Sequence, residues 1–96
     1  MGAMTNYLIV IEKGENNFSA YSPDVLGCVA TGKTIEETVQ RMRDALYFHL
    51  EDLYYRGEPI PQAQGLEKHI AEINSNAGDF FTFAWVDLSL MLAEAA

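Results

Sequence analysis

With 96 residues, the chain has the length for one modest hydrophobic core and not for a second. Its hydrophobic fraction of 49%, with one Trp, five Tyr and five Phe, excludes disorder over most of its length. Six Lys and Arg against fourteen Asp and Glu leave a formal charge of −8. That balance disfavours direct nucleic-acid binding, which rests on cations placed at phosphates, and suits a basic protein partner.

A single cysteine cannot form an internal disulfide, and no basic, apolar leader opens the chain. No stretch is long and apolar enough to span a membrane. The expectation is a cytoplasmic protein with no membrane association. Residues 1–3 read as an expression scar before Met4, residues 4–88 as one domain, and residues 89–96 as a helix-prone tail that either packs as a terminal turn or serves as an oligomer contact.

In chain order, TNYLIVIE at residues 5–12 is dense in β-branched and aromatic residues and predicts a strand buried on both faces near its centre. The polar run 13–17 then turns the chain into a second short strand, FSAYS, ended by Pro23-Asp24. Gly27 permits a backbone angle costly to other residues, and residues 28–31 form a third strand closed by Gly32.

Thr34-Ile35-Glu36-Glu37 has the capping-box pattern. The Thr34 hydroxyl is placed to accept from the Glu37 amide, and the Glu37 carboxylate to reach back to the Thr34 amide. Ile35, Val39, Met42, Leu46, Leu50 and Leu53 follow at steps of three or four, one apolar face of a helix running to Arg56. Gly57 ends it in a left-handed turn, and Pro59 forbids continuation.

Gly57-Glu58-Pro59-Ile60-Pro61 leaves the helix extended, with Ile60 stapled onto the sheet. A short helix follows Gly65, carrying Leu66, Ile70 and Ile73. FFTFAWVDL at residues 80–88 is the strongest β segment, with aromatics on both faces, so it is either central in the sheet or covered by a partner chain. The order is strand, strand, strand, long helix, strand: an α+β domain with a small, antiparallel-leaning sheet and one long helix on one face.

GCVATGKT at residues 27–34 matches the phosphate-loop spacing G-x-x-x-x-G-K-T. The residues between those glycines are strand formers, however, and a phosphate loop must curl to present successive amides. The domain also lacks the parallel framework and acidic strand that hold Mg²⁺ in such proteins. Cys28 with His49 or His69 gives too few ligands for structural zinc, and Cys28 reads as a buried small hydrophobe, with His49 at the boundary of the helix face. Glu12, Asp24, Glu37, Asp79 and Asp87 sit mostly at ends and turns, where they do not converge on a metal pair. No cofactor, metal or catalytic residue is expected. The outer helix face mixes acids with Tyr47, Tyr54 and Tyr55, material suited to a protein interface.

Taken together, FSAYSPDVLGCVATGKT at 18–34 and IEETVQRMRDALYFHLEDLYYRGEPIP at 35–61 strongly resemble the amino-terminal domain of the HicB family of antitoxins. That family shows a strand ending near Pro-Asp, a Gly-Cys start to the next strand, a Gly-x-Thr lead into the helix, and a Gly-Glu-Pro-Ile-Pro exit. The likeness covers residues 6–62 closely and extends through the late strand to Leu88. Val25-Leu26 stand where the family often has Leu-Pro, and Thr38 and Val39 fill Ala-like positions.

The resemblance implies a βββαβ, partial ribonuclease-H-like domain without that enzyme's catalytic carboxylates. It further implies a non-enzymatic antitoxin that neutralises a small, basic, RNA-cleaving HicA-type toxin. Many HicB antitoxins add a carboxy-terminal DNA-binding domain, for which no room is expected after Leu88. The toxin contacts are placed on Asp24, Glu36, Asp44, Glu51 and Asp52, positions the family motifs do not fix. Self-association into a dimer or tetramer is assigned to Phe81, Phe83 and Trp85. The alternative is a solitary HicB-like oligomeric scaffold or ligand-sensing domain with no toxin.

Overall fold

The computed structural model describes residues 4–70 and 80–88. Strands β1 (Met4–Lys13), β2 (Phe18–Ser22) and β3 (Val25–Gly32) are followed by helix α1 (Ile35–Tyr55), the short α2 (Gly65–His69) and strand β4 (Phe80–Asp87). The sheet order is β3-β2-β1-β4, antiparallel throughout. The α+β architecture read from the sequence is therefore the one observed. The tail at 89–96 lies outside the described residues, as do Ile73 and Asp79.

Strand β1 is central, and Tyr7, Leu8, Ile9, Val10 and Ile11 are all buried. Because strand side chains alternate, Tyr7, Ile9 and Ile11 point to one face and Leu8 and Val10 to the other. The first set joins Ala20, Val25, Cys28, Ala84 and Val86 beneath Met42, Leu46 and Leu50 of α1. Ile60 staples onto this core as expected. On the opposite face Leu8 stands across from Phe83, and Val10 stands between Phe81 and Tyr21.

Strand β4 is not central, which corrects the first of the two expected placements. It pairs with β1 along Met4↔Asp87 to Ile11↔Phe80 and forms the sheet edge among the described residues. Its aromatic content reflects pairing with the buried centre of β1 on one side, which a sequence pattern cannot distinguish from pairing on both.

Strand β3 begins at Val25, before the expected Cys28, because it is looped out of register. Tyr21 faces Val29 while the next residue, Ser22, faces Val25, so Leu26, Gly27 and Cys28 bulge between them. Gly27 takes φ 82° there, a conformation that strains any side chain with a Cβ.

The helix starts as its motif specifies on one side only. The Glu37 amide donates to Thr34 Oγ1 at 3.0 Å, but the Glu37 carboxylate accepts from Lys33 rather than Thr34, also at 3.0 Å. At the other end, Glu58 donates to Leu53 O and Gly57 to Tyr54 O, with Gly57 at φ 72°. That double closure is a Schellman motif. Thr38, absent from the expected stripe, is fully buried and leads the spacing Thr38, Met42, Leu46, Leu50. Its hydroxyl donates to Thr34 O at 2.7 Å, which lets a polar residue enter the core satisfied.

Candidate functional site

The string that resembled a phosphate loop is structural. Thr31 and Gly32 continue β3, and a Cβ on Gly32 would lie 2.6 Å from Thr38 Oγ1 and 2.8 Å from the Thr38 nitrogen. Gly32 is therefore a point of close approach between helix and strand, while Glu37 already holds the Lys33 amide where a phosphate would bind. Cys28 is buried, and burial pushes its thiol above the usual range, so it stays protonated and unreactive. Among the described residues no group of three His, Cys, Asp or Glu could hold a metal ion. No helix among them is long and apolar enough to cross a membrane.

Of the five acidic positions assigned to a partner, Asp24 does not reach the surface. Its side chain is 1% exposed, and its carboxylate accepts from the Gln64 amide at 3.2 Å and meets His69 Nε2 at 2.6 Å. Tyr7 lies close by. Its hydroxyl donates to Pro61 O at 2.6 Å, and burial, then the charge of Asp24, push its phenol up. Asp24, His69 and Tyr7 thus tie the segment leaving α1 back onto the sheet. His69, rather than Ile70, is the buried residue of α2, because Asp24 supplies the partner that lets an imidazole pack inward.

The other four acids lie on α1. At 100° per residue, Glu36, Asp44 and Glu51 fall on one outward stripe with Gln40 and Tyr47, and Asp52 points toward the opposite flank. Glu36 and Asp44 are exposed and Glu51 is half-exposed. Asp44 accepts from Gln40 at 3.1 Å, whereas Asp52 is paired with Arg56 at 3.0 Å. Charge on this stripe is therefore available to a partner, and that of Asp52 is partly spent within the helix.

Phe81, Phe83 and Trp85 alternate along β4 and share the face that α1 leaves uncovered. Trp85 is 59% and Phe83 40% exposed, with Tyr21 and Val29 in the same layer beyond β1. Arg43, Asp44 and Tyr47 meet Trp85, Val86 and Asp87 in a groove between α1 and the β4 edge. The sequence reading assigned Asp44 and Trp85 to different surfaces and did not bring them together.

Comparison with known proteins gives one consistent set. The sequence model for the HicB-like antitoxin of bacterial toxin-antitoxin systems matches residues 7–96. An uncharacterized 14.9 kDa protein of the rep-hol intergenic region of Haemophilus phage HP1 is 31% identical over 90 residues, 93% of this chain. The match spans 66% of that phage protein. The crystal structure of the N-terminal domain of the Burkholderia pseudomallei antitoxin HicB superposes with a TM-score of 0.75 at 26% identity, covering 88% of this chain and all of that one. A chain of the HicA3 and HicB3 toxin-antitoxin complex superposes with a TM-score of 0.65 at 26% identity, covering 83% of this chain and 95% of that one.

Proposed function

Because the chain belongs to the HicB-like antitoxins of bacterial toxin-antitoxin systems, we propose that it binds and neutralises a basic, RNA-cleaving toxin of the HicA type. The outward stripe Glu36, Asp44 and Glu51 of α1 is the contact surface, and the observation that carries this reading is that these acids stand on one helix face of a chain of charge −8. Neutralisation is steric and electrostatic: the helix covers the toxin's RNA-binding surface, and its carboxylates take the cations that would otherwise hold phosphates. The occurrence of a structurally similar chain in a HicA3 and HicB3 complex supports a toxin of that type. Such a role requires no cofactor and no direct contact with nucleic acid, and it belongs in the cytoplasm, where the RNA is.

The test is inhibition of RNA cleavage by a purified HicA-type toxin. The wild-type chain should abolish cleavage near equimolar ratio, and Glu36→Lys with Glu51→Lys should relieve that inhibition with the fold unchanged by circular dichroism. Undiminished cleavage with the wild-type chain present in excess would refute the toxin role. A second reading, a solitary oligomeric scaffold, is favoured by the exposed Phe83 and Trp85. It predicts assembly without any effect on a toxin.

A further inference from the structure

We propose that Phe48, Glu51 and Tyr55 form a seat on the outer flank of α1 for an arginine side chain of the toxin, with the guanidinium held at the Glu51 carboxylate between two aromatic rings. The inference rests on the antitoxin reading and names the chemistry by which this helix recognises its partner. Phe48 is 67% and Tyr55 59% exposed, and Glu51 is half-exposed. Glu51 follows Phe48 by three positions and precedes Tyr55 by four. That spacing puts all three on one face of the helix, with the two aromatic positions about 10 Å apart along its axis.

Both exposed rings are braced. Phe48 meets Tyr47 nearly at right angles with 6.2 Å between ring centroids, and Tyr55 meets Tyr54 in the same way at 5.5 Å. Tyr47 and Tyr54 are partly buried and pack against the core. Each outer ring is therefore backed by a ring that the fold holds still, so an incoming side chain finds a surface that needs little further ordering.

The carboxylate between the rings is uncommitted. Asp44 accepts from Gln40, Glu37 is paired with Arg41 and Asp52 with Arg56, whereas Glu51 has no hydrogen-bond or ion-pair partner among the described residues. Two exposed rings alone would suit an apolar partner. An unpaired acid between them selects a cation, in keeping with a chain of charge −8. Of the two basic side chains, arginine fits better, because its planar guanidinium forks onto a carboxylate and stacks on aromatic faces, whereas the lysine ammonium is a compact, strongly hydrated charge.

Calorimetric titration with a purified HicA-type toxin tests the seat. E51Q should raise the dissociation constant about tenfold. Phe48→Leu and Tyr55→Leu keep apolar bulk but remove the π face, and each should raise it about threefold to tenfold. Tyr55→Phe keeps the ring and should stay within about twofold of the wild type. Because one guanidinium spans carboxylate and ring, Phe48→Leu should add less in the E51Q background than it does alone. All three side chains reach solvent, so circular dichroism should show native folds. Leucine variants that bind within about twofold of the wild type would overturn the proposal and leave the antitoxin reading standing, as would losses that simply add. Leucine variants that change the sedimentation of the free chain but not toxin binding would also overturn it, since they assign the rings to contact between copies. A wild type that does not bind the toxin removes the antitoxin reading itself, and the seat falls with it.

Discussion

Nε2 of His69 lies 2.6 Å from Oδ1 of Asp24, joining two side chains that are 8% and 1% exposed. The contact spans 45 positions of sequence and closes the α1 exit onto the β2–β3 corner. Removing Asp24 strips a partner from a buried imidazole and from the Gln64 amide together, whereas removing His69 leaves the Gln64 contact in place. Asp24→Ala should therefore cost about 2–4 kcal/mol and exceed His69→Ala. Urea midpoints at neutral pH measure both, and equal losses would show that the Gln64 contact contributes nothing.

Tyr7 makes stability depend on alkaline pH. Burial and the nearby Asp24 charge raise its phenol in the folded state, so the folded chain keeps this proton at a pH where the unfolded chain releases it. A group raised in this way stabilises the fold fully below its unfolded value near 10, and that contribution is lost as pH rises through the folded value. The wild type should lose stability above about pH 10, and Tyr7→Phe should flatten this phase. At neutral pH the same variant should cost about 1 kcal/mol for the bond to Pro61. Thermal midpoints from pH 7 to 11 follow both effects.

Gly32 and Gly27 should fail for different reasons. A methyl group on Gly32 would press on Thr38 at 2.6 Å from its hydroxyl and 2.8 Å from its backbone nitrogen. Gly32→Ala should cost about 1–3 kcal/mol by overpacking, and Thr38→Ala, which removes the hydroxyl but not the backbone nitrogen, should relieve only part of that cost. Gly27 meets nothing within 4 Å, so Gly27→Ala pays the penalty of φ 82° alone, about 1–2 kcal/mol. Denaturation of the two variants and the double mutant separates steric from conformational cost.

These residues also show what could be read before the fold was known. Thr34 and Gly57 marked both helix ends because a cap and a left-handed terminator are local chemistry, set within a few residues. The apolar spacing from Ile35 to Leu53 located the buried face for the same reason. Thr38 was missed since its burial depends on Gly32 across the helix–strand contact, and the edge position of β4 depends on which strand β1 recruits. Asp24 looked like surface acid in a Pro-Asp turn; nothing near it in sequence announced a histidine 45 positions away. The stripe of Glu36, Asp44 and Glu51 was legible through helical spacing, whereas the groove shared by Asp44 and Trp85 required the tertiary fold.

The acidic positions should consequently separate into contact and scaffold when toxin binding is measured against salt. Exposed charges that face a basic partner act over about 10 Å at moderate salt, so reversing them should weaken binding and flatten its salt dependence. Glu51→Lys should do this with an unchanged urea midpoint, and Glu36→Lys with a slightly lowered one, because Glu36 lies in the first turn of α1, where the helix dipole favours an anion. Asp52→Ala should have a smaller effect, because Asp52 points to the flank opposite the stripe and its charge is already paired with Arg56 at 3.0 Å. Asp24→Asn should lower the urea midpoint while leaving the salt slope of the folded protein unchanged, since its carboxylate is turned inward. Titrations of toxin binding at several ionic strengths give the slopes, and a slope altered by Asp24→Asn as strongly as by Glu51→Lys would place Asp24 in the interface after all.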